Sequence, residues 1–157
     1  MGIEEICFFT GHRLLPDEAR IQKILQREII RLARQGVTHF MAGGALGFDM
    51  LCARTVLEMK SSYGLKLILA IPCHRQDKNW TVEQRFYYKR LLEQCDECHY
   101  VSTGEYTQDC MKKRNQYMVD HSKYGIAYYV NPHSGTGQTM RYAQKMKRQV
   151  LNIADLM

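Results

Sequence analysis

MAGGALGFD, residues 41–49, is the stretch of sequence from which the fold can be inferred. The apolar run VTHFMA at 37–42 leads into it and predicts a buried strand, whereas residues 50–59 repeat apolar side chains at helical spacing. The glycines in between predict a tight turn. The stretch is therefore predicted to join a strand, a glycine turn and a helix, which is the repeating unit of parallel α/β sheets.

The glycines of this turn indicate where a ligand could bind. Gly43 and Gly44 have no Cβ, so a bound group can come close to the backbone there, and Gly47 lets the helix begin tight against the strand. The first N–H groups of that helix point into the turn and favour an anion. Asp49, in the first helical turn, is positioned to accept hydrogen bonds from sugar hydroxyls. The alternative is a simple tight turn in which Asp49 only caps the helix.

The rest of the chain repeats the alternation of strand and helix. Strands are predicted at residues 5–10, 37–42, 65–71, 97–101, 124–130 and 149–153. Helices are predicted at residues 17–35, 48–60, 81–94, 110–122 and 140–148. Successive strand–helix–strand units imply a mostly parallel sheet of five to six strands with right-handed crossovers.

Size and charge narrow the class of protein. The 157 residues, 45% hydrophobic and 24% charged, have ordinary globular composition and predict one domain, residues 1–157. Lys and Arg number 22 against 16 Asp and Glu, and the net charge of +6 suits an anionic ligand or nucleic acid. No apolar run approaches the roughly 20 residues of a membrane helix. The N-terminus lacks a signal-peptide core, so a cytoplasmic protein is expected.

The six cysteines raise the questions of disulfides and metal. Free thiols are expected in a chain without an export signal. Cys95 and Cys98 have the two-residue gap of metal-binding and redox pairs, but no second such pair exists. No metal is therefore expected.

A polar cluster ends the first predicted strand. Thr10, Gly11, His12 and Arg13 follow directly on an apolar run, at the place where open α/β sheets build their ligand crevice. The cluster is therefore a candidate for ligand binding, and the alternative is that His12 and Arg13 are ordinary surface-loop residues.

A helix in the second half of the chain carries a charged side chain on an inward-facing stripe. Arg114 and Asn115 lie between Met111 and Met118 on the same side of this helix. Buried polar groups need partners, because leaving them without a hydrogen bond is costly. A ligand's phosphate with its ribose or base would serve, and so would a structural ion pair, for which Asp120 is the candidate.

A second glycine turn, NPHSGTGQT at 131–139, follows the fifth predicted strand. Ser134, Thr136 and Thr139 offer hydroxyls, and Gly135 and Gly137 are expected to leave backbone N–H groups open. Such a turn before a helix can cradle phosphate. It lacks the Gly-Lys-Ser/Thr ending of a P-loop, so hydrolysis of nucleoside triphosphates is not indicated.

These loops are expected to converge, because the carboxyl ends of parallel strands share one edge of the sheet. Together they predict a site for an anion or nucleotide. The predicted ligand-binding residues are Thr10, Gly11, His12, Arg13, Gly43, Gly44, Gly47, Asp49, Arg114, Asn115, Ser134, Gly135, Thr136 and Thr139.

Four motifs, by their order and spacing, resemble the YpsA-like proteins: FTGHR at 9–13, GGALGFD at 43–49, RNQYMVD at 114–120 and SGT at 134–136. That group belongs to the SLOG superfamily, with the DNA-processing protein DprA and the Lonely Guy phosphoribohydrolases. The resemblance spans nearly the whole chain. It implies a Rossmann-like three-layer α/β/α sandwich and a nucleotide-type ligand related to NAD or ADP-ribose.

One departure from the related enzymes bears on activity. Lonely Guy enzymes carry a Gly-Gly-x-Gly-Thr-x-x-Glu loop whose Glu serves catalysis beside a helical Arg. Arg114 matches that Arg, but Thr139 stands where the Glu belongs. A neutral hydroxyl cannot act as a base or stabilise an oxocarbenium ion as a carboxylate can. Phosphoribohydrolase activity is therefore not expected unless Asp49 or Asp120 substitutes.

The sequence thus predicts a cytoplasmic protein that binds or senses a small nucleotide-like molecule. One alternative is a nucleotide-processing hydrolase related to the phosphoribohydrolases. A further alternative is a DprA-like module for single-stranded DNA, which the net charge permits although aromatic and basic residues are not interleaved in a recognisable platform. No membrane partner is expected, and a homo-oligomer stays open.

Overall fold

Six short segments pair into a parallel sheet in the computed structural model, which describes residues 2–157. The strands are β1 (Ile6–Gly11), β2 (His39–Ala42), β3 (Lys66–Ile71), β4 (Glu97–Tyr100), β5 (Tyr124–Tyr128) and β6 (Gln149–Asn152). The helices are α1 (Glu18–Arg34), α2 (Phe48–Tyr63), α3 (Val82–Gln94), α4 (Gln108–Asp120) and α5 (Gly135–Lys145). The predicted Rossmann-like α/β/α sandwich is confirmed, and all six strands run parallel.

The strand order, β4-β3-β2-β1-β5-β6, places the change of winding direction between β1 and β5. Thr10 of β1 lies opposite Ala127 of β5, and Cys7 lies opposite Phe40 of β2. Helices α1, α2 and α3 pack on one face of the sheet, and α4 and α5 pack on the other. The loops after β1 and β5 therefore leave toward opposite faces, and a crevice opens between them, as at the switch point of open α/β sheets.

Two apolar layers attach the helices to the sheet. On the α1–α3 side, Phe9 stacks on Phe40 with ring centroids 5.8 Å apart, and Phe48 meets Phe9 edge-on at 6.5 Å. On the α4–α5 side, Phe8 and Met118 belong to the second cluster. Because side chains alternate along a strand, the neighbours Phe8 and Phe9 fill opposite layers, which anchors β1 at the centre of the molecule.

Local sequence signals fix the ends of several helices. Asp17 caps α1 by accepting the N–H of Arg20, and Thr81 and Gln84 form the capping box of α3 that the sequence predicts. Gly64 ends α2 in the left-handed conformation, with φ of 64°.

The cysteines are all free thiols. Burial raises the pKa of both Cys95 and Cys98, which disfavours the thiolate that a redox or metal-binding pair needs. Within residues 2–157, no three His, Cys, Asp or Glu side chains cluster so that they could hold a metal ion. None of the helices in this described range is long and apolar enough to cross a membrane.

Candidate functional site

A cavity of about 360 Å³ opens at the carboxyl edge of the sheet. The segments that follow strands β1, β2, β3, β4 and β5 all contribute residues to its lining. Small-molecule sites usually measure about 300 to 1,000 Å³, so the cavity is at the small end of that range. The sequence-predicted residues that line it are Thr10, Gly11, His12, Arg13, Asp49, Arg114, Asn115, Ser134, Gly135 and Thr136.

Arg114 is the most deeply buried charge at this cavity, with only 3% of the residue exposed. Its Nη1 donates to the carbonyl of Gly43 at 2.6 Å, and its Nε donates to Oδ1 of Asn115 at 2.9 Å. Asp120, the expected ion-pair candidate, is not its partner, because Asp120 accepts a hydrogen bond from the hydroxyl of Tyr142 at 2.6 Å. The guanidinium is therefore held by neutral oxygens while one side of it faces the cavity.

Asp49 is the second buried charge, with 7% of the residue exposed. Burial raises the pKa of Asp49, and this effect outweighs the lowering by the Arg114 guanidinium and by the N–H groups of Ala45 and Gly43. Burial in turn lowers the pKa of Arg114, against the opposing effect of Asp49. The two charges stabilise each other across Gly43, but no direct ion pair joins them among the described residues. Both side chains also line the cavity.

The N-terminus of α5 supplies free hydrogen-bond donors. Ser134 caps the helix: its hydroxyl accepts the N–H of Gly137 at 3.1 Å and donates to the carbonyl of Asn131 at 2.6 Å. In residues 2–157, no protein acceptor takes the N–H of Gly135 or Thr136. A Cβ added to Gly135 would meet nothing within 4 Å, so this end of the helix is open. The helix dipole and the free N–H groups favour an anion here.

His12 joins the loops on the two sides of the switch point. Its Nε2 accepts the N–H groups of Val130 at 2.9 Å and Asn131 at 3.2 Å, and its carbonyl accepts the N–H of Phe48 at 3.1 Å. Burial lowers the pKa of His12, which suits a neutral ring that accepts at Nε2. Arg13, next in sequence, is exposed and lines the cavity. His12 thus fixes the loop, and Arg13 supplies the positive charge.

Gly43, Gly44 and Gly47, expected to hold phosphate through their backbone, do not line the cavity. Gly43 lies against the Arg114 guanidinium and the Asp49 carboxylate, where a Cβ would overlap both. Gly44 and Gly47 have φ of +69° and +88°, the left-handed region that favours glycine. Gly43 thus makes room for the two charged side chains, and these side chains line the cavity while the three glycines do not.

Thr139 also lies outside the cavity. The second turn is shorter than expected, because α5 begins at Gly135, and this places Thr139 one helical turn further along. Its hydroxyl donates to the carbonyl of Gly135 at 3.1 Å. Thr139 lines a separate cavity of about 250 Å³ between α4 and α5, which shares Asn115 with the first.

The lining residues that are absent from the predicted set include Gln76, Trp80 and Tyr106. Trp80 packs edge-on against Tyr88, with ring centroids 5.2 Å apart, and Gln76 donates to the Tyr88 hydroxyl at 3.0 Å. Tyr106 is 55% exposed at the rim. All three lie in segments after β3 or β4, so the rule that gathers strand ends at one edge could have indicated them.

The sequence places this Rossmann-like fold in the SLOG class of proteins. The YpsA family model, described as the YspA SLOG family, matches residues 4–154, and the chain belongs to this family. The resemblance inferred from the four motifs is thereby confirmed.

Relatives with known sequences include proteins of Bacillus. The "Uncharacterized SPbeta prophage-derived protein YoqJ" of Bacillus subtilis is 35% identical over 126 residues, which cover 73% of this chain and 74% of YoqJ. A UPF0398 protein of Bacillus cereus is 28% identical over 134 residues, 84% of this chain and 73% of that protein.

Similar solved structures include two DprA proteins. The structure of DNA processing protein A from Helicobacter pylori, reported for its single-stranded DNA binding mode, matches with a TM-score of 0.69 at 19% identity. DprA from Streptococcus pneumoniae matches with a TM-score of 0.60 at 16% identity. The matches cover 94% of this chain but only 64% and 50% of those two chains. At such identities the likeness shows the fold alone.

Proposed function

We propose that the protein binds a small nucleotide-like anion in the cavity at the carboxyl edge of the sheet, as a binding or sensing protein. One observation carries the proposal. Buried Arg114, buried Asp49 and the unpaired N–H groups of Gly135 and Thr136 all border the same cavity. A positive charge and free helix-end donors suit phosphate, and a carboxylate suits ribose hydroxyls, which are donors.

The proposed ligand lies across the switch point. Its phosphate accepts from the start of α5 and from Arg13 at the opposite side of the crevice. Its sugar hydroxyls donate to Asp49, and Arg114 with Asn115 contacts the remaining polar atoms. A volume of about 360 Å³ fits a mononucleotide better than a dinucleotide. A larger ligand such as ADP-ribose would extend past Asn115 toward the neighbouring cavity.

Isothermal titration calorimetry with AMP, ADP, ADP-ribose and NAD tests the proposal. We expect at least one of them to bind, and Arg114→Met to weaken that binding about tenfold or more, since hydrogen bonds to charged groups contribute about 1.5 to 3 kcal/mol. The matched control is Arg34→Met, an exposed arginine at the end of α1. No binding by any of these nucleotides, or equal binding by Arg114→Met, would contradict the proposal.

A second candidate function is the binding of single-stranded DNA, as reported for the Helicobacter pylori DprA structure. Exposed aromatic rings at the end of β4 and in the segments after β3 and β4 favour it. Tyr106 stands at the rim, and His74 stacks on Tyr100 with ring centroids 4.4 Å apart. Such rings can stack on bases without sequence preference, and the net charge of +6 favours phosphates.

A further inference from the structure

Helix α3 leaves three of its six apolar side chains exposed. Only Tyr88 and Leu91 of this helix are buried, whereas Val82, Phe86 and Tyr87 are 76%, 56% and 55% exposed. Phe86 and Tyr87 meet edge-on, with ring centroids 5.7 Å apart. A surface helix normally packs its apolar stripe inward and presents polar residues to water. The outer face of helix α3 therefore presents these three apolar side chains, and no described part of this chain covers them.

An apolar groove of about 790 Å³ runs beside this face, between α2, α3 and the loop after β1. Met50, Leu57 and Leu91 line it, together with Tyr87 and Leu14, which is 84% exposed. Single exposed apolar residues are ordinary, but a groove and a helix face that adjoin through Tyr87 form a larger continuous patch. Patches of this kind mark surfaces that bind another protein.

The charged residues of α3 indicate what kind of protein could bind to its exposed face. Glu83 lies three residues before Phe86, and Arg90 lies three residues after Tyr87. Both charged side chains are exposed, and neither forms a salt bridge within residues 2–157. Arg90 instead lies over the ring of Phe86, at 5.9 Å from its centroid. The order of acid, two aromatics and base is complementary to itself when read in the opposite direction.

We propose that α3 is the interface through which the protein binds a second copy of itself. The two α3 helices pack antiparallel about a twofold axis that passes between Phe86 and Tyr87. Phe86 of each copy then lies against Tyr87 of the other, and Glu83 of each copy lies opposite Arg90 of the other, which makes the contact self-complementary as twofold dimers require. The contact covers the exposed aromatics and closes over the adjoining groove. This proposal is independent of the proposed ligand.

Sedimentation velocity and light scattering over a range of concentrations test the dimer. We expect the wild-type chain to reach twice the 18.4 kDa of one copy. Glu83→Arg places like charges opposite each other at both ends of the contact, and so does Arg90→Glu. Each alone should raise the dimer dissociation constant about tenfold or more. An equal mixture of the two variants has attractive pairs at both ends, so it should form a heterodimer of wild-type affinity.

The controls separate this contact from general effects of charge and folding. Lys113→Glu changes an exposed charge on α4, in the opposite helix layer, and should leave the dimer unchanged. Phe86→Ala truncates the central contact without changing charge and should give a monomer. Circular dichroism and thermal melting establish that each variant is folded. A wild-type chain that stays monomeric, a dimer that survives both charge reversals or Phe86→Ala, or a mixture that does not re-form the dimer would overturn the proposal.

Discussion

Arg114 and Asp49 are the two charged side chains that the fold buries at the cavity, and they respond to burial differently. An arginine keeps its proton in proteins, so the guanidinium remains positive and must be satisfied by acceptors such as the Gly43 carbonyl. A carboxyl group can take up a proton instead, and burial raises the pKa of Asp49. Asp49 is therefore the member of the two whose charge depends on pH.

Because the pKa of Asp49 is raised, the free energy of unfolding of the protein should depend on pH. Because the folded state binds a proton at Asp49 more readily than the unfolded state, stability from this group is greatest at low pH. It falls as pH rises from about 3.8 through the folded pKa. Asp49→Asn removes the titration, so its stability relative to the wild type should increase over the same interval. Urea unfolding of both proteins at about pH 3.5 and about pH 7 measures the difference in their free energies of unfolding. A difference that is the same at both pH values would contradict the prediction.

Replacing each of the two glycines at the start of α5 by alanine should change the stability of the protein to different extents. A Cβ on Gly135 has open space around it, whereas a Cβ on Gly137 would overlap the carbonyl of Pro132. We expect Gly135→Ala to change the free energy of unfolding by less than about 0.5 kcal/mol and Gly137→Ala to cost about 1 to 3 kcal/mol. Gly135→Ala should nevertheless weaken nucleotide binding, because its methyl group occupies the open helix end. Unfolding curves and titrations of both variants test this, and a large stability loss at Gly135 would show that the site is closed.

At the scale of the element, helix caps separate a structural role from a ligand-binding role. Ser134 caps α5 and Thr81 caps α3, each through its side-chain oxygen. Replacing either by alanine should cost about 1 kcal/mol of stability. Only Ser134→Ala should also reduce nucleotide affinity, because Ser134 lines the cavity. The comparison uses matched unfolding and titration measurements, and equal affinities of the two variants would argue against a ligand at α5.

The positions of the helices and strands can be predicted from local sequence patterns, but the roles of the turns cannot. Apolar runs and capping residues suffice to predict the strands and the start of α3, because those signals act within a few neighbouring residues. The role of Gly43 depends on Arg114, which is distant in sequence and reaches it only through the fold. A glycine that makes room for a side chain and a glycine that makes room for a ligand are the same residue in the sequence. The sequence alone cannot distinguish them.

At the scale of the whole molecule, the convergence of the loops could be predicted, and the arrangement around them could not. Parallel strands bring their carboxyl ends to one edge, so the sequence predicts that the segments near Thr10, Asp49 and Ser134 meet there. The sheet order that puts β1 beside β5 is set by long-range packing. The uncovered face of α3 likewise emerges only when the exposure of each side chain is known.

The salt dependence of binding affinity distinguishes the two candidate ligands, a mononucleotide and single-stranded DNA. Binding of single-stranded DNA releases counterions from many phosphates, so its affinity should fall steeply with salt concentration. A mononucleotide held in one cavity has few charges and should show a shallow dependence. Fluorescence anisotropy with a thymidine oligonucleotide and calorimetry with AMP, each at low and high salt, make the comparison. Loss of oligonucleotide binding in Tyr106→Ala with unchanged AMP affinity would identify the aromatic rim as a DNA surface.

Nucleotide binding in the cavity is tested most simply by titrating ¹⁵N-labelled protein with AMP and with ADP-ribose and recording ¹H–¹⁵N correlation spectra. If a nucleotide binds in the cavity, the largest shifts occur at the amides of Gly135 and Thr136 and at the side-chain Nε–H of Arg114, which border it. Shifts at Arg34 and at other remote positions should be small. If saturating ligand shifts the signals of other regions and leaves those three groups unchanged, or shifts no signal at all, the cavity does not bind these nucleotides.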